Sequence, residues 1–588
     1  MLKSLYDYAL RNKLALPAGC VNKTVKAYLS FSARTDYAGV VMGDAEPLPC
    51  PDIGSLANGT KTSNVIVEKR SVVLPEEPSA KSAFFLSTLR DAAKTVPECA
   101  VCAAALENAE TREKLRQELD RNKVKPSDRI SFMVDGLPIV RNGALLTWWQ
   151  EYRMQFAKQD AANQTRCLIT GEPTVPLATT PSIQGLRSVG GHSSGDALIC
   201  FDKTAFTSYG LKQGANAPVS EEAFSAVKAA LDSLLADAPA LAGMKFVHWY
   251  DADIQPEEDP ILSCGNFGDF GASELGDDEE ETPAERQRKE RAANEKATRL
   301  VNSVRSGERD VVLGKVRYHI LLLSGVGGRV MIRRYEQGNY EQLQTALKQW
   351  NDDLSLTNSS GTQTLPSCKL TARLLRLLKY QKGDRKPFER LGKELSGMIP
   401  AILQSILTVV PLPNSVAVRA LQTIRSRMLS NEEDTNKLFY DLGLSCQWLK
   451  VWLIRNQNKG DVMMSAYNPE NHSPAYQCGA ILAIYEKIQS KAYPEGVNVS
   501  VVQRYYASAI QTPALVIGRL SQLSVHHQRE LAKGSKGLSN YFANMLADAR
   551  AAMDGAIPAV LTLSEQAEFA LGYYQMTAKL NTKKDKED

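Results

Sequence analysis

From about Leu365 onward the chain shows helical spacing and no strand pattern, and this change of period narrows what it can fold into. Apolar residues recur at helical intervals over 370–380, 399–409, 416–429 and 435–455. The same spacing returns over 475–492, 499–509, 513–526, 537–553 and 563–580. Amphipathic helices in such a run must bury their apolar stripes against one another, so the spacing predicts a helical bundle. Pro411 and Pro413 separate the second helix from the third, with Asn414 or Ser415 as the expected N-cap. Thr512 before Pro513 reads as a cap with proline at the first helical position. The region divides into 365–462 and 463–588, and the charged tail 581–588 is expected to fray.

Ahead of this region strand and helix patterns alternate. Residues 24–32 and 64–74 are rich in β-branched and aromatic side chains and read as strands. Residues 81–94 and 107–122 carry helical periodicity, and 129–140 reads as a hairpin turning at Asp135-Gly136. Further on come a strand at 197–201, a helix at 221–235 and a strand at 244–250. Residues 251–283 turn to acid, glycine and proline and read as a linker or mobile loop. A charged helix over 285–304 and a second hairpin, 315–323 with 329–335, follow. The expected fold class is α+β: a mixed α/β N-terminal body with antiparallel hairpins, then an all-α C-terminal helical bundle. The expected domains are 1–250, the acidic linker 251–283, the remainder of the α/β body at 284–364, and the two helical parts.

The chain has 588 residues, 43% hydrophobic and 23% charged, as for an ordinary soluble protein. It lacks the uninterrupted apolar stretch of about 18 residues that a membrane span needs. The first 13 residues lack the apolar core of a signal peptide, so a cytoplasmic location is expected. Ten cysteines are scattered, and only Cys99 and Cys102 form a C-x-x-C pair, without a second pair to complete a zinc site. They read as reduced thiols packed in the interior, and no metal or other cofactor is expected. Net charge is only +4, yet residues 251–281 hold 12 acids and no base. Without them 54 acids face 70 bases, a surplus of 16 that suits a polyanionic partner.

Enzyme motifs fail on context. Gly191-His192-Ser193-Ser194-Gly195 fits the G-x-S-x-G nucleophile elbow, which needs a buried strand before the serine and a helix after it. Here a Gly-rich polar run precedes and a strand pattern follows. Gly190 and Gly195 have phosphate-loop spacing, but Asp196 and Ala197 stand where Lys and Ser/Thr are required. Gly276-Asp277-Asp278 lies in the acid run and reads as solvated charge. His526 and His527 point about 100° apart on a helix and do not share a metal.

Several blocks together resemble the large-subunit family of type I-C CRISPR Cascade. Leu2-Lys-Ser-Leu-Tyr-Asp-Tyr8 is similar to its first helix. The most specific stretch runs Cys167-Leu-Ile-Thr-Gly-Glu172, Ile183-Gln-Gly-Leu-Arg187, Gly190-Gly-His-Ser-Ser-Gly195, Ala205-Phe-Thr-Ser-Tyr-Gly210 and Gln213-Gly-Ala-Asn-Ala-Pro-Val-Ser220. Gln503-Arg-Tyr-Tyr-Ala-Ser-Ala509, Pro513, Arg519-Leu520, His526-His527 and the Leu-Gly-Tyr-Tyr core of 569–575 resemble its C-terminal bundle. The resemblance implies a subunit without catalytic residues in an RNA-guided complex. Its partners are other Cascade subunits, the CRISPR RNA, target double-stranded DNA and a separate helicase–nuclease. Such a subunit reads the protospacer-adjacent motif, supports R-loop formation and steadies the displaced strand, while the guide reads sequence by pairing.

The resemblance implies a reading loop at Asn58, Gly59, Thr60, Lys61, Thr62 and Asn64, where amides meet base edges and lysine meets phosphate. The family continues Pro-Asn-Phe here, whereas this chain has Ser63-Asn64-Val65. Arg187, Ser193, Ser194, Lys212, Gln213 and Asn216 are candidates to line a groove for phosphates or the displaced strand, with Arg504 and Arg519 in the same role. The alternative for the Gly-rich block is that it shapes the fold or meets a neighbouring subunit. In this family a small subunit arises by translation from within the large-subunit gene. Lys459-Gly460-Asp461 can be encoded by a purine-rich ribosome-binding sequence before Met463 and Met464, which makes either methionine a candidate internal start. Two other readings stay open: a general nucleic-acid-binding scaffold, and a hydrolase using Ser193.

Overall fold

The computed structural model describes the chain apart from residues 18, 35–37, 45, 55–59, 157–164, 257, 265–312, 362–363, 366–367, 382–383, 385, 431–434 and 583–588. Most of the acidic run, including Asp277 and Asp278, and the expected 285–304 helix lie outside the described residues. The chain forms two compact units. The first comprises Met1–Arg187, Gly191–Asp237 and Gly325–Met331, the second Ser188–Gly190, Ala238–Ser324 and Ile332–Asp588.

The first unit is built on a sheet ordered Ala38–Met42, Ala27–Phe31, Arg129–Val134, Glu68–Lys69, with Leu137–Pro138 paired to Arg129–Val134. Ala27–Phe31 runs parallel to Arg129–Val134, and all five of its residues are buried, as a central strand covered on both faces must be. The hairpin at Asp135-Gly136 forms as expected, with φ of 46° and 82° at the two turn residues. Helices Ala80–Ala92, Pro97–Glu107, Ala109–Arg121 and Gly143–Arg153 supply Phe85, Leu89, Leu115 and Trp149 to the core. Cys99 and Cys102 are fully buried there, and burial pushes the Cys99 thiol up to about 12, as inert interior thiols require. Helix Leu2–Arg11 packs on helix Glu221–Ala236.

Three expectations change. Residues 24–32 are not one strand: Cys20–Thr24 pairs with Pro47–Pro51 in a separate ribbon, and Ala27–Phe31 starts after a jog at Val25 and Lys26. Residues 64–74 are a turn, the two-residue strand Glu68–Lys69 and the short helix Arg70–Val73. Val65, Ile66 and Val67 are buried as completely as strand residues would be, so their apolarity misleads about backbone shape. The expected strand at 197–201 is a single parallel bridge from Ala197 to Arg329.

An antiparallel sheet follows, ordered Ala240–Leu241, Met244–Tyr250, Arg317–Val326 and Arg329–Asn339, and all of it except Gly325–Met331 belongs to the second unit. Helix Tyr340–Leu354, to which the sequence reading gives no element, follows. The bundle then comprises Leu370–Leu375, Pro387–Leu395, Ile399–Thr408, Asn414–Met428, Thr435–Gln457, Pro474–Ala492, Val501–Ala509, Pro513–Gly534, Lys536–Ala551 and Leu563–Asn581. One hydrophobic core runs from Leu241 to Met576, so the 462/463 division falls inside continuous packing. No helix among the described residues is long and apolar enough to cross a membrane.

The caps differ in detail. Asn414 is the first helical residue after Pro413 and makes no cap; its side-chain oxygen accepts from Trp452 Nε1 at 3.2 Å. Thr512 holds the N-cap position before Pro513, but its hydroxyl donates back to the Ser508 carbonyl at 3.1 Å. A buried charge cluster ties three helices together. Arg455 Nε donates to Asp353 at 2.9 Å, its Nη1 to Ser405 Oγ at 3.1 Å, and Lys450 Nζ to the Ser355 carbonyl at 2.8 Å.

Candidate nucleic-acid interface

The expected reading loop lies between the ribbon strand Pro47–Pro51 and the sheet strand Glu68–Lys69. Asn58 and Gly59 lie outside the described residues. Thr60 and Lys61 are exposed in a turn, Thr62 is half-buried, and Lys61 makes no ion pair among the described residues. Ser63 is buried and donates its hydroxyl to the Lys81 carbonyl at 3.3 Å. Asn64 closes the loop: its side-chain oxygen accepts the Ile53 N–H at 2.9 Å, and its Nδ2 donates to Glu68 Oε2 at 3.3 Å. Its own N–H donates to the same carboxylate oxygen at 3.1 Å. One donor and one acceptor position of the Asn64 amide are thus used inside the chain, where they hold this end of the loop.

Beneath the loop, Val67 N–H donates to the Val65 carbonyl at 2.7 Å around Ile66 at φ +66°. A β-branched residue in the left-handed region is costly, and complete burial of 65–67 holds it there. Strain of this kind persists where the surroundings over-determine it, and it concentrates at functional loops.

The second candidate region, 167–220, is folded on itself. Cys167 N–H donates to the Glu172 carbonyl at 2.9 Å, and Leu168 N–H to that of Pro218 at 2.9 Å. Burial raises the Cys167 thiol, but hydrogen bonds from the Ser220 N–H and from Thr170 outweigh it and bring the thiol down to about 7. The glycine loop winds around a buried carboxylate. Asp196 is fully buried, accepts the His192 N–H at 3.1 Å, and forms a bridge with Ile183. A Cβ on Gly191 would lie 2.3 Å from Asp196 Oδ2, so only glycine fits. Asp196 thus faces inward as the loop's organiser. Ser193 and Ser194 are exposed in the turn, and neither the strand nor the helix of a nucleophile elbow flanks Ser193.

Arg187, Lys212 and Gln213 are exposed. Asn216 donates to the carbonyls of Phe206 and Gln213, each at 3.0 Å, and so clasps the segment between them. Within that segment Tyr209 is 100% exposed at φ +60°, near Lys212 in the chain. Tyr209 belongs to the block 205–210 but is not among the candidate residues. The signal is a lone aromatic between Ser and Gly in a stretch with nothing to bury it.

The sequence profile of the CRISPR-associated protein family Cas_Csd1 matches residues 10–581. The chain belongs to the Csd1 family. No curated protein matches it. Csd1 membership makes this a CRISPR-associated, Cascade-type subunit.

In this Csd1 chain the remaining candidates lie in the second unit. Arg504 is exposed on helix Val501–Ala509, its guanidinium 5.6 Å from the Tyr505 ring centroid. Arg519 is exposed on helix Pro513–Gly534. Met463 is buried and Met464 is 56% exposed. Five helices follow these methionines, and their last, Leu563–Asn581, also packs on Thr435–Gln457. Among the described residues no three His, Cys, Asp or Glu side chains come together to hold a metal.

Proposed function

We propose that this Csd1 protein is the non-catalytic large subunit of a type I-C Cascade complex. In this reading it recognises the protospacer-adjacent motif in duplex DNA, supports R-loop formation around the CRISPR RNA, and recruits a separate helicase–nuclease. The observation that carries the reading is Lys61, exposed and without an ion pair among the described residues, just before Asn64, which Ile53 and Glu68 hold, and the strained turn at Ile66. An exposed cation beside two threonines suits a groove, where phosphates position the protein and hydroxyls meet base edges. Arg187, Ser193, Ser194, Lys212 and Gln213, with exposed Tyr209, suit the displaced strand, because rings among cations hold single strands without sequence preference. Arg504 and Arg519 extend that role to the bundle. Met463 or Met464 would start a separately translated small subunit of five helices.

The test is DNA binding by the reconstituted complex, with and without this chain, on targets with and without the motif. Motif-dependent binding should require the chain. Lys61→Ala should weaken binding on every target and flatten the salt slope by about one. Thr60→Ala with Thr62→Ala should cut motif preference about 10-fold, the discrimination of a single base contact of about 1–3 kcal/mol. Unchanged binding and preference without the chain would leave it a scaffold.

A further inference from the structure

Helices Pro474–Ala492, Val501–Ala509 and Pro513–Gly534 border a cleft with about 510 Å³ of free space, part of it open to solvent. No Asp or Glu lines it, and Arg504 at its wall makes no ion pair among the described residues. The walls are otherwise rings and apolar groups, with Tyr505, Leu520, Leu523 and His527 among them. Burial, together with neighbouring His526, holds the His527 pKa below its ordinary value, so its ring is neutral at pH 7 with one donor and one acceptor. Gln489 also lines the cleft, its side-chain oxygen fixed by the Val501 N–H at 2.8 Å. The segments 503–509 and 513–527 thus converge here: Arg504, Tyr505, Leu520 and His527 share one cavity.

We propose that this cleft binds a single unstacked nucleotide, with the base against Tyr505 and the apolar wall and the phosphate on Arg504. The proposal rests on the displaced-strand reading and deepens it by naming a nucleotide pocket. A phosphate site alone would not need apolar and aromatic walls. A π-face is common to all bases, so the pocket tolerates any sequence, while donors and acceptors on His527 and Gln489 meet the base edge. The guanidinium is the side chain best shaped for phosphate. The cleft lies wholly within 463–588, so a separately translated small subunit would carry it too.

The test measures anisotropy of a labelled oligothymidylate of about four nucleotides on the full chain, beside an abasic oligonucleotide of equal length. Tyr505→Ala should weaken oligothymidylate binding about 10-fold, the effect of one stacked base, while Tyr505→Phe binds as wild type. The abasic strand should bind wild type and Tyr505→Ala alike. Thermal melting verifies the fold, and His527→Ala, expected to weaken binding in the same sense, serves if Tyr505→Ala melts early. Wild-type binding by both alanine variants overturns the pocket. If Arg187→Ala with Lys212→Ala abolishes binding while Tyr505→Ala does not, the displaced-strand reading stands and the pocket falls. If the wild type binds no oligonucleotide, both fall. Should Tyr505→Ala keep oligonucleotide binding but lose assembly with other subunits, the cleft seats a protein segment and the proposal is wrong.

Discussion

Gly572→Val is expected to melt the helical unit far below the wild-type temperature. A Cβ at Gly572 would lie 2.0 Å from the Tyr476 carbonyl oxygen, and one at Gly479 would lie 2.0 Å from that of Phe569. Helices Pro474–Ala492 and Leu563–Asn581 therefore touch backbone to backbone at two reciprocal points. A carbonyl cannot rotate aside as a side chain can, so the helices must part along their whole contact. That would break the Tyr476 hydroxyl's bond to Gln575 Oε1 at 2.6 Å and open the packing of Cys478, Leu482 and Phe569. Overpacking of this kind should cost about 4 kcal/mol or more, beyond the usual range because the obstacle is backbone. Gly518→Ala is the control. Nothing lies within 4 Å of its Cβ, and it should be neutral or stabilise by up to about 1 kcal/mol. Thermal melting and amide exchange across 569–576 report the difference. Wild-type melting of Gly572→Val would falsify the close crossing.

The bundle was legible because its helices carry period and punctuation together. Residues 563–580 and 475–492 were read to within a residue or two of their observed bounds. Helix Tyr340–Leu354 carries Leu343, Leu347, Trp350 and Leu354 at helical intervals, but Gln and Asn between them dilute the pattern. The converse error fell at Val65-Ile66-Val67. Three buried β-branched residues look alike whether they form a strand or a tight turn, since apolarity reports burial and not φ. The Asp135-Gly136 hairpin succeeded because both residues accept a left-handed backbone.

Site geometry was less legible than fold. Asn64 looked like a base reader by residue type, but its partners Ile53 and Glu68 are tertiary facts. Asp196 looked hostile to phosphate at its sequence position, yet it turns inward and organises the loop. The cleft beside Arg504 could not be read from order alone, because its walls come from three helices. The sequence did carry the ingredients, an Arg-Tyr pair and a His pair in neighbouring amphipathic segments.

Two substitutions in one buried cluster should move stability in opposite directions. Asp353 is the anion facing Arg455, while Lys450 lies near enough for Asp353 to act on its charge. Asp353→Ala strands buried Arg455 and should cost about 3–5 kcal/mol, the penalty of an uncompensated interior charge. Lys450 is different. Burial brings its pKa down from 10.5 to about 8, against the upward pull of Asp353 and Asp352, so the fold holds its charge at a cost. Lys450→Met removes that charge and keeps the volume, and should stabilise by about 1–3 kcal/mol at pH 7 despite the lost bond to the Ser355 carbonyl. The pH dependence follows from linkage. Between about 8 and 10.5 the unfolded chain binds the lysine proton and the folded chain does not, so stability from this group rises with pH through that window. The methionine variant lacks that rise, and its advantage should shrink as pH climbs from 8 to 10.5. Urea denaturation at pH 7 and pH 10 measures both effects. If Lys450→Met destabilises at pH 7 as much as Asp353→Ala does, the lysine is an integral partner of the cluster and its burial is no burden on the fold.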